Sequence, residues 1–582
     1  MQRMKVSEIP YERADAEKVC GVIDKAVEKI NAAKSVDDVL EARELVNDAL
    51  RDFYTESSLA NARFTLNTKD EFYSAEKDYY DEKMPVVQVS YLKYADAILS
   101  SKFLDELKTK INPVIIKQFE LQKKAVSDAI VPEMQKDNAL VTEYSKFVSE
   151  CTYNFRGKDI TLGELRKFAQ DSDRATRKEA YVALGKTLEK HSDFLDDVFD
   201  RMVKNRDLMA KKMGYKNYVE LGYYNMGRLC YDEKMVKVFR ENVLKDIVPV
   251  VTRLKKQVAE KLGIDHMRLY DNDTYFQEDP KPALDERGIL KAGQEMYKDM
   301  SPETGAFMDM MMDTDAFDVF TREGKWTGGY MTSFDKYHQP FIFANFNGTT
   351  ADVDVVTHEA GHAFAYYMSE PVVPYELGLG AMETAETHSM SMEFFAWKYT
   401  DMFFGKDANK YRYKHLFDAL TFIPYGTIVD YFQHIVYENP DMTPKERDDV
   451  WLKLEKEFRP WMDADDVPYL SKGTRWQYQN HIFESPFYYI DYCLAQTVAI
   501  EFLEESQKDY DKAFKAYLAH ATRGGSYVFT DLVRLAGLKS PFEEGALKEV
   551  AKTSENILSS LQKNVLIFTE IRNYEKNKSQ DK

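Results

Sequence analysis

Helical punctuation runs through nearly the whole 582-residue chain, and it limits the fold more than any other feature of the sequence. "SVDDVLEARELVNDALRDFY" opens with Ser35, places an acidic residue three positions on, and then carries apolar residues at helical spacing. Thr161 and Glu164 repeat the device ahead of a long helical stretch to Met213, and another such stretch ends at Gly263. Strand signals are few: a hairpin around Gly157, "FDVFTREGKWTGGYMTSF", and "QPFIFANFNG". The expectation is a mainly α protein with a small β component.

Composition excludes several classes. Hydrophobic residues at 44% against 30% charged fit a soluble globular chain, and a net charge of −19 argues against nucleic acid or an anionic membrane as partner. The first twenty residues hold no signal-like apolar run, and no uncharged apolar stretch reaches membrane-spanning length. Cys20, Cys151, Cys230 and Cys493 lie far apart and suit reduced thiols in a cytoplasm. Residues 1–145 read as an N-terminal helical region without assignable chemistry. Residues 146–572 hold the chemistry, interrupted by an irregular loop near 271–288, and 573–582 read as a polar tail that frays.

The chemistry begins at "VVTHEAGHAFAYYM", from Val355. On a helix, His358 and His362 lie one turn apart on one face and can address one ion. Neutral imidazoles are good zinc ligands, and Glu359 projects to the side, where it can take a proton from metal-bound water. Packed histidines in a chance pattern are the bland alternative, but apolar flanks would bury their rings, and buried rings need partners. Gly361, inside this helix, costs about 1 kcal/mol relative to alanine, so a neighbouring backbone should come close there.

"YELGLGAMETAETHSMSMEFFAW" follows, with Glu376, Glu383, Glu386 and Glu393. The last three recur at three and seven residues, so one face of an apolar helix could carry three carboxylates. Such a face is costly unless something positive receives it, and a zinc ion with its histidines would.

These motifs resemble the oligoendopeptidase F and thimet oligopeptidase family of zinc peptidases. "HEAGHAFAYY" looks like that family's active-site helix and "AETHSMSMEFF" like its second helix. "GKDITLGELRKFAQDSDRATRKEAY", "MGYKNYVELGY", "GKWTGGYM", "PFIFANFNGTTADVDVVTHEAGH" and "RGGSYVFTDLVRLAGL" follow in family order, so the resemblance covers Phe147 to Ala551.

The resemblance implies a zinc-dependent endopeptidase for short unfolded oligopeptides, with one Zn2+ per chain and two helical halves around a deep channel. It makes His358, His362 and Glu386 the ligands, with Glu383 as the alternative third ligand, and Glu393 the supporting carboxylate. It makes "PFIFANFNG" an edge strand near the metal that comes close to Gly361, with Phe343, Ala344, Asn345, Phe346 and Gly348 along the substrate. It assigns oxyanion stabilisation to His481 with Tyr488, Tyr489 or Tyr492, from "NHIFESPFYYIDYCLAQ". Two other readings stay open: a helical zinc carboxypeptidase or dipeptidase, with Arg475 or Arg523 for the terminal carboxylate, and a catalytically silent peptide-binding protein.

Overall fold

A computed structural model describes residues 3–326 and 328–580. Helices make up most of it, with two small sheets. The expected starts are present: Ser35 forms a capping box with Asp38 ahead of the helix Val36–Leu66, and Thr161 does so with Glu164. The stretch to Met213 is three helices (Leu162–Ala169, Arg174–Lys190 and Ser192–Lys212), broken where Asp173 caps the second and His191 separates it from the third. Gly263 ends the helix Val248–Leu262 with φ +66°. Between Asp271 and Glu286 there is no regular helix or strand. The helix Ala546–Gln580 extends into the polar segment expected to fray from 573, and residues 581–582 lie outside the described residues.

Two apolar cores organise the chain. One joins the first helices, from Ala16 to Phe119, and takes in Leu377 and Val528 from further along. The larger one begins at Ile130 and extends to Leu558. The helix Val131–Glu150 crosses the boundary expected at 145 and packs on Ser192–Lys212, in the larger body. Among the described residues no helix is long and apolar enough to cross a membrane.

Strands β1 (Tyr153–Phe155) and β2 (Lys158–Ile160) form the expected hairpin, turning through Arg156 and Gly157 at positive φ. Strands β3 (Phe317–Phe320), β4 (Tyr330–Phe334) and β5 (Gln339–Phe346) form the second sheet in the order β3-β5-β4. Here the structure corrects the sequence reading. β5 is the central strand, parallel to β3 and antiparallel to β4, and not an edge. Phe343, Ala344 and Phe346 are buried in the core, and Asn345 donates from Nδ2 to the carbonyls of Trp326 (2.8 Å) and Gly328 (2.9 Å). Gly348 adopts φ +81° in the turn where its N–H and that of Asn347 donate to Asp352. A strand hydrogen-bonded on both sides has no main-chain groups left for a peptide, so these five residues lose the role expected of them as an open edge. The open side of the sheet next to the His358 helix belongs to β4.

Candidate metal centre and active site

The helix Thr350–Ser369 carries His358, Glu359 and His362, and the helix Met382–Phe395 lies against it, nearly all of its residues buried. Gly361 is where the two meet: a β-carbon there would stand 2.6 Å from Ser389 Cα and 3.1 Å from the His388 carbonyl oxygen. The close neighbour is therefore the glutamate helix and not "PFIFANFNG". Sequence reasoning found the contact but not the partner.

That contact brings His358, His362 and Glu386 together, with one ligand atom from each within 4.8 Å of the others. Glu386 Oε2 lies 3.4 Å from His358 Nε2 and 3.6 Å from His362 Nε2. Four ligands placed tetrahedrally at about 2.0–2.1 Å stand roughly 3.3–3.4 Å apart, so these three donors fit a zinc ion. Burial would raise the Glu386 carboxyl, but His362 and His358 overcome it and hold the group well below the usual range. Glu383 stands outside the cluster, and Glu376 is held by Arg43 at 2.5 and 2.8 Å.

Behind the donors runs a chain of bonds that fixes their protons. Trp397 Nε1–H, which can only donate, bonds His415 Nδ1 at 3.0 Å. His415 must therefore carry its proton on Nε2, which donates to Glu393 Oε2 at 2.6 Å. Glu393 Oε1 accepts from His358 Nδ1 at 2.6 Å, leaving the His358 Nε2 lone pair free for a metal. Burial raises the Glu393 carboxyl, yet the two imidazoles pull it down to about 2, so it stays charged. Burial opposes a second proton on His415, but Glu393 and Asp354 outweigh it and raise the imidazole above its usual range; against a second proton stands the geometry, since an N–H at Nδ1 would face the indole N–H of Trp397. Tyr411 stacks on the same ring at 5.6 Å and bonds Asp354. His415 and Trp397 escaped sequence reasoning because no local spacing links them to Glu393.

Glu359 sits beside the cluster, its carboxyl raised by burial against the pull of both histidines. The segment from Asn480 completes the wall. Tyr488 donates to Glu386 Oε1 at 2.6 Å, and its ring lies 4.8 Å from that of Tyr492. Burial raises the Tyr492 phenol, with Glu386 and Glu359 adding to it. Tyr489 packs on Tyr425 and His481. His481 is kept neutral by burial. Its Nδ1 lies 3.0 Å from Gln479 Nε2, whose Oε1 accepts from Tyr425. That orients the amide as donor, so the His481 proton sits on Nε2. Arg475, the cation considered for a terminal carboxylate, is paired with Glu455 at 3.0 Å and lies over Tyr425.

The chain matches known proteins along most of its length. Residues 6–126 match the peptidase M3 N-terminal domain, and residues 167–291 and 304–552 match peptidase family M3. The chain is similar to oligopeptidase PepF of Bacillus subtilis (strain 168), 22% identical over 521 residues, which are 85% of this chain and 72% of that protein. It is similar in structure to PZ peptidase A with inhibitor 2, at TM-score 0.93 and 40% identity over 96% of this chain and 99% of that one. Oligoendopeptidase-F from Enterococcus faecium shares the fold at TM-score 0.63 and 15% identity, over 94% and 98% of the two chains. The chain belongs to peptidase family M3 and is a metallo-oligopeptidase.

Proposed function

We propose that the protein is a zinc-dependent endopeptidase that hydrolyses internal bonds of short unfolded oligopeptides. The convergence of His358, His362 and Glu386 at tetrahedral spacing, with Glu359 beside them, carries this reading. One Zn2+ held there supplies a Lewis acid for the scissile carbonyl and lowers the pKa of water. Glu359 takes the proton of the attacking water, a task suited to a carboxyl whose pKa burial has raised. His481 Nε2–H and the Tyr492 hydroxyl donate to the developing oxyanion. Tyr488 holds the ligand carboxylate, and Tyr489 backs His481.

The substrate runs along the open side of β4, which packs beside the His358 helix. Pairing with a strand uses main-chain groups and suits a peptidase of broad sequence taste. Peptides of roughly five to twenty residues suit this reading and folded domains do not, since pairing along a strand needs an extended chain, which spans about 3.3 Å per residue. Four free cysteines fit a reducing cytoplasm.

Digestion of a mixed-length peptide library with and without chelator, read by mass spectrometry, tests the proposal. Internal cleavage of short peptides, abolished by chelator and restored by zinc, is expected. Release of single C-terminal residues, or efficient digestion of folded proteins, would contradict it.

A further inference from the structure

Gln479 stands between two side chains that both engage its amide. Its backbone is fixed, with the N–H bonded to the Trp476 carbonyl (3.0 Å) and the carbonyl accepting from the Ile482 N–H (3.0 Å). The side chain therefore leaves from a rigid joint ahead of the helix Asn480–Glu484. Oε1 lies 2.6 Å from the Tyr425 hydroxyl, and Nε2 lies 3.0 Å from His481 Nδ1. On bonding alone these three side chains have two complete settings. In one, Tyr425 donates to the amide oxygen and the amide N–H meets a bare Nδ1. In the other, the amide is turned over, Tyr425 accepts, and His481 carries its proton on Nδ1.

Charge on Tyr425 decides between them. Arg475 lies 4.6 Å and Arg459 5.1 Å from the centre of its ring. One oxygen of Glu455 accepts from both guanidinium groups, at 3.0 and 3.2 Å, and the buried Arg459 leaves Nε unbonded. Burial raises the Tyr425 phenol, and the two arginines pull against it. Positive charge at the ring withdraws electron density from the phenol oxygen, which makes it a better donor and a poorer acceptor. With Tyr425 donating, the Gln479 N–H points at His481 and the imidazole N–H lies on Nε2. Glutamine suits this joint because one plane offers both a donor and an acceptor, whereas a glutamate would present acceptors to both sides.

We propose that Tyr425 and Gln479, biased by Arg459 and Arg475, are positioning residues that hold His481 in the Nε2–H tautomer required to bond the oxyanion. This rests on the oxyanion role given to His481. It also gives Arg475 a task other than gripping a terminal carboxylate. Tyr488, Tyr489 and Tyr492 pack on the imidazole, and Glu386 is the charge that favours its protonation against burial.

The test uses zinc-loaded full-length enzyme and an internally quenched peptide. The ratio of variant to wild-type kcat is followed between about pH 5 and 8, where imidazole titrates. In Gln479→Glu the carboxylate accepts from Nδ1–H, leaving Nε2 bare at the alkaline end and both nitrogens protonated in acid. At the alkaline end kcat should be lower by about tenfold or more with little change in KM, and the ratio should climb as pH falls. Gln479→Met, which bonds neither side, should lose less at the alkaline end and give a flat ratio, although it is the less conservative change. NMR of the ring nitrogens in histidine-labelled wild type, with the His481 signals identified by their loss in His481→Phe, should show a protonated Nε2 and a bare Nδ1. In Tyr425→Phe and Arg475→Met these signals should move toward a mixture of tautomers.

A protonated Nδ1 in neutral wild-type His481, signals unmoved in both of the last two variants, or a flat Gln479→Glu ratio would overturn the proposal. His481→Phe separates this from the reading beneath it. If that variant loses kcat while Gln479→Glu behaves as wild type, the positioning role alone falls. If it keeps wild-type kcat, the oxyanion role of His481 falls, and the positioning role with it.

Discussion

Gly361 and Ser389 hold the two ligand-bearing helices at backbone contact, with only 2.6 Å between the place of a Gly361 β-carbon and the Ser389 Cα. The spacing of His358 and His362 to Glu386 depends on this approach, because each helix supplies part of the donor set. A glycine that weakens its helix by about 1 kcal/mol is thereby explained.

Gly361→Ala should therefore fail to give the helix stabilisation that alanine normally brings. Overpacking against backbone costs about 1–3 kcal/mol, which outweighs the propensity gain. Melting temperature and zinc affinity should both fall. A variant as stable as wild type, with unchanged zinc affinity, would show that the helices have room to spare.

The chain from Trp397 to His358 predicts a remote effect on the metal. Trp397→Phe keeps the ring but removes the N–H that fixes the His415 tautomer. Zinc dissociation, measured by chelator competition, should rise about 10–100-fold, as for other residues that orient metal ligands. Unchanged zinc affinity would mean that Glu393 orients His358 without help from this chain.

Much of this site was legible because its chemistry is local. His358, Glu359 and His362 lie on one turn of helix, Glu386 and Glu393 on two turns of another, and the capping residues Ser35 and Thr161 announce their own helices. What depends on neighbours distant in sequence was not. "QPFIFANF" reads as a strand, but nothing in its residues says that β3 pairs on its other side and makes it central. His415 belongs to an apolar helix and meets Glu393 only through packing. Gly361 signalled a close approach without naming Ser389.

Tyr492→Phe should keep zinc and lower kcat by about 10²–10³-fold with little change in KM, as expected of a donor used only in the transition state. Tyr488→Phe should differ, because its hydroxyl bonds the ligand Glu386, and zinc affinity should fall. Metal analysis beside steady-state kinetics separates the two. Loss of zinc in Tyr492→Phe would exchange the roles.

Stability should depend on pH through Glu501. Burial, with Glu504 and Glu549 adding to it, raises this carboxyl to about 8 against the Lys539 backbone N–H. The folded state then holds a proton that the unfolded state has released, so the contribution of Glu501 to stability is fully present below about 4.5 and is lost as pH rises through about 8. Glu501→Gln should flatten the decline between these pH values in denaturant titrations. An unchanged slope would place the pH dependence elsewhere.

The most direct test of the account is the kcat of fully zinc-loaded Glu359→Gln. The amide keeps the shape of the side chain but cannot accept a proton, while His358, His362 and Glu386 are untouched. The account predicts about one zinc per chain, peptide binding retained, and kcat lower by about 10²–10⁴-fold or more. Near wild-type kcat at full zinc occupancy would contradict it.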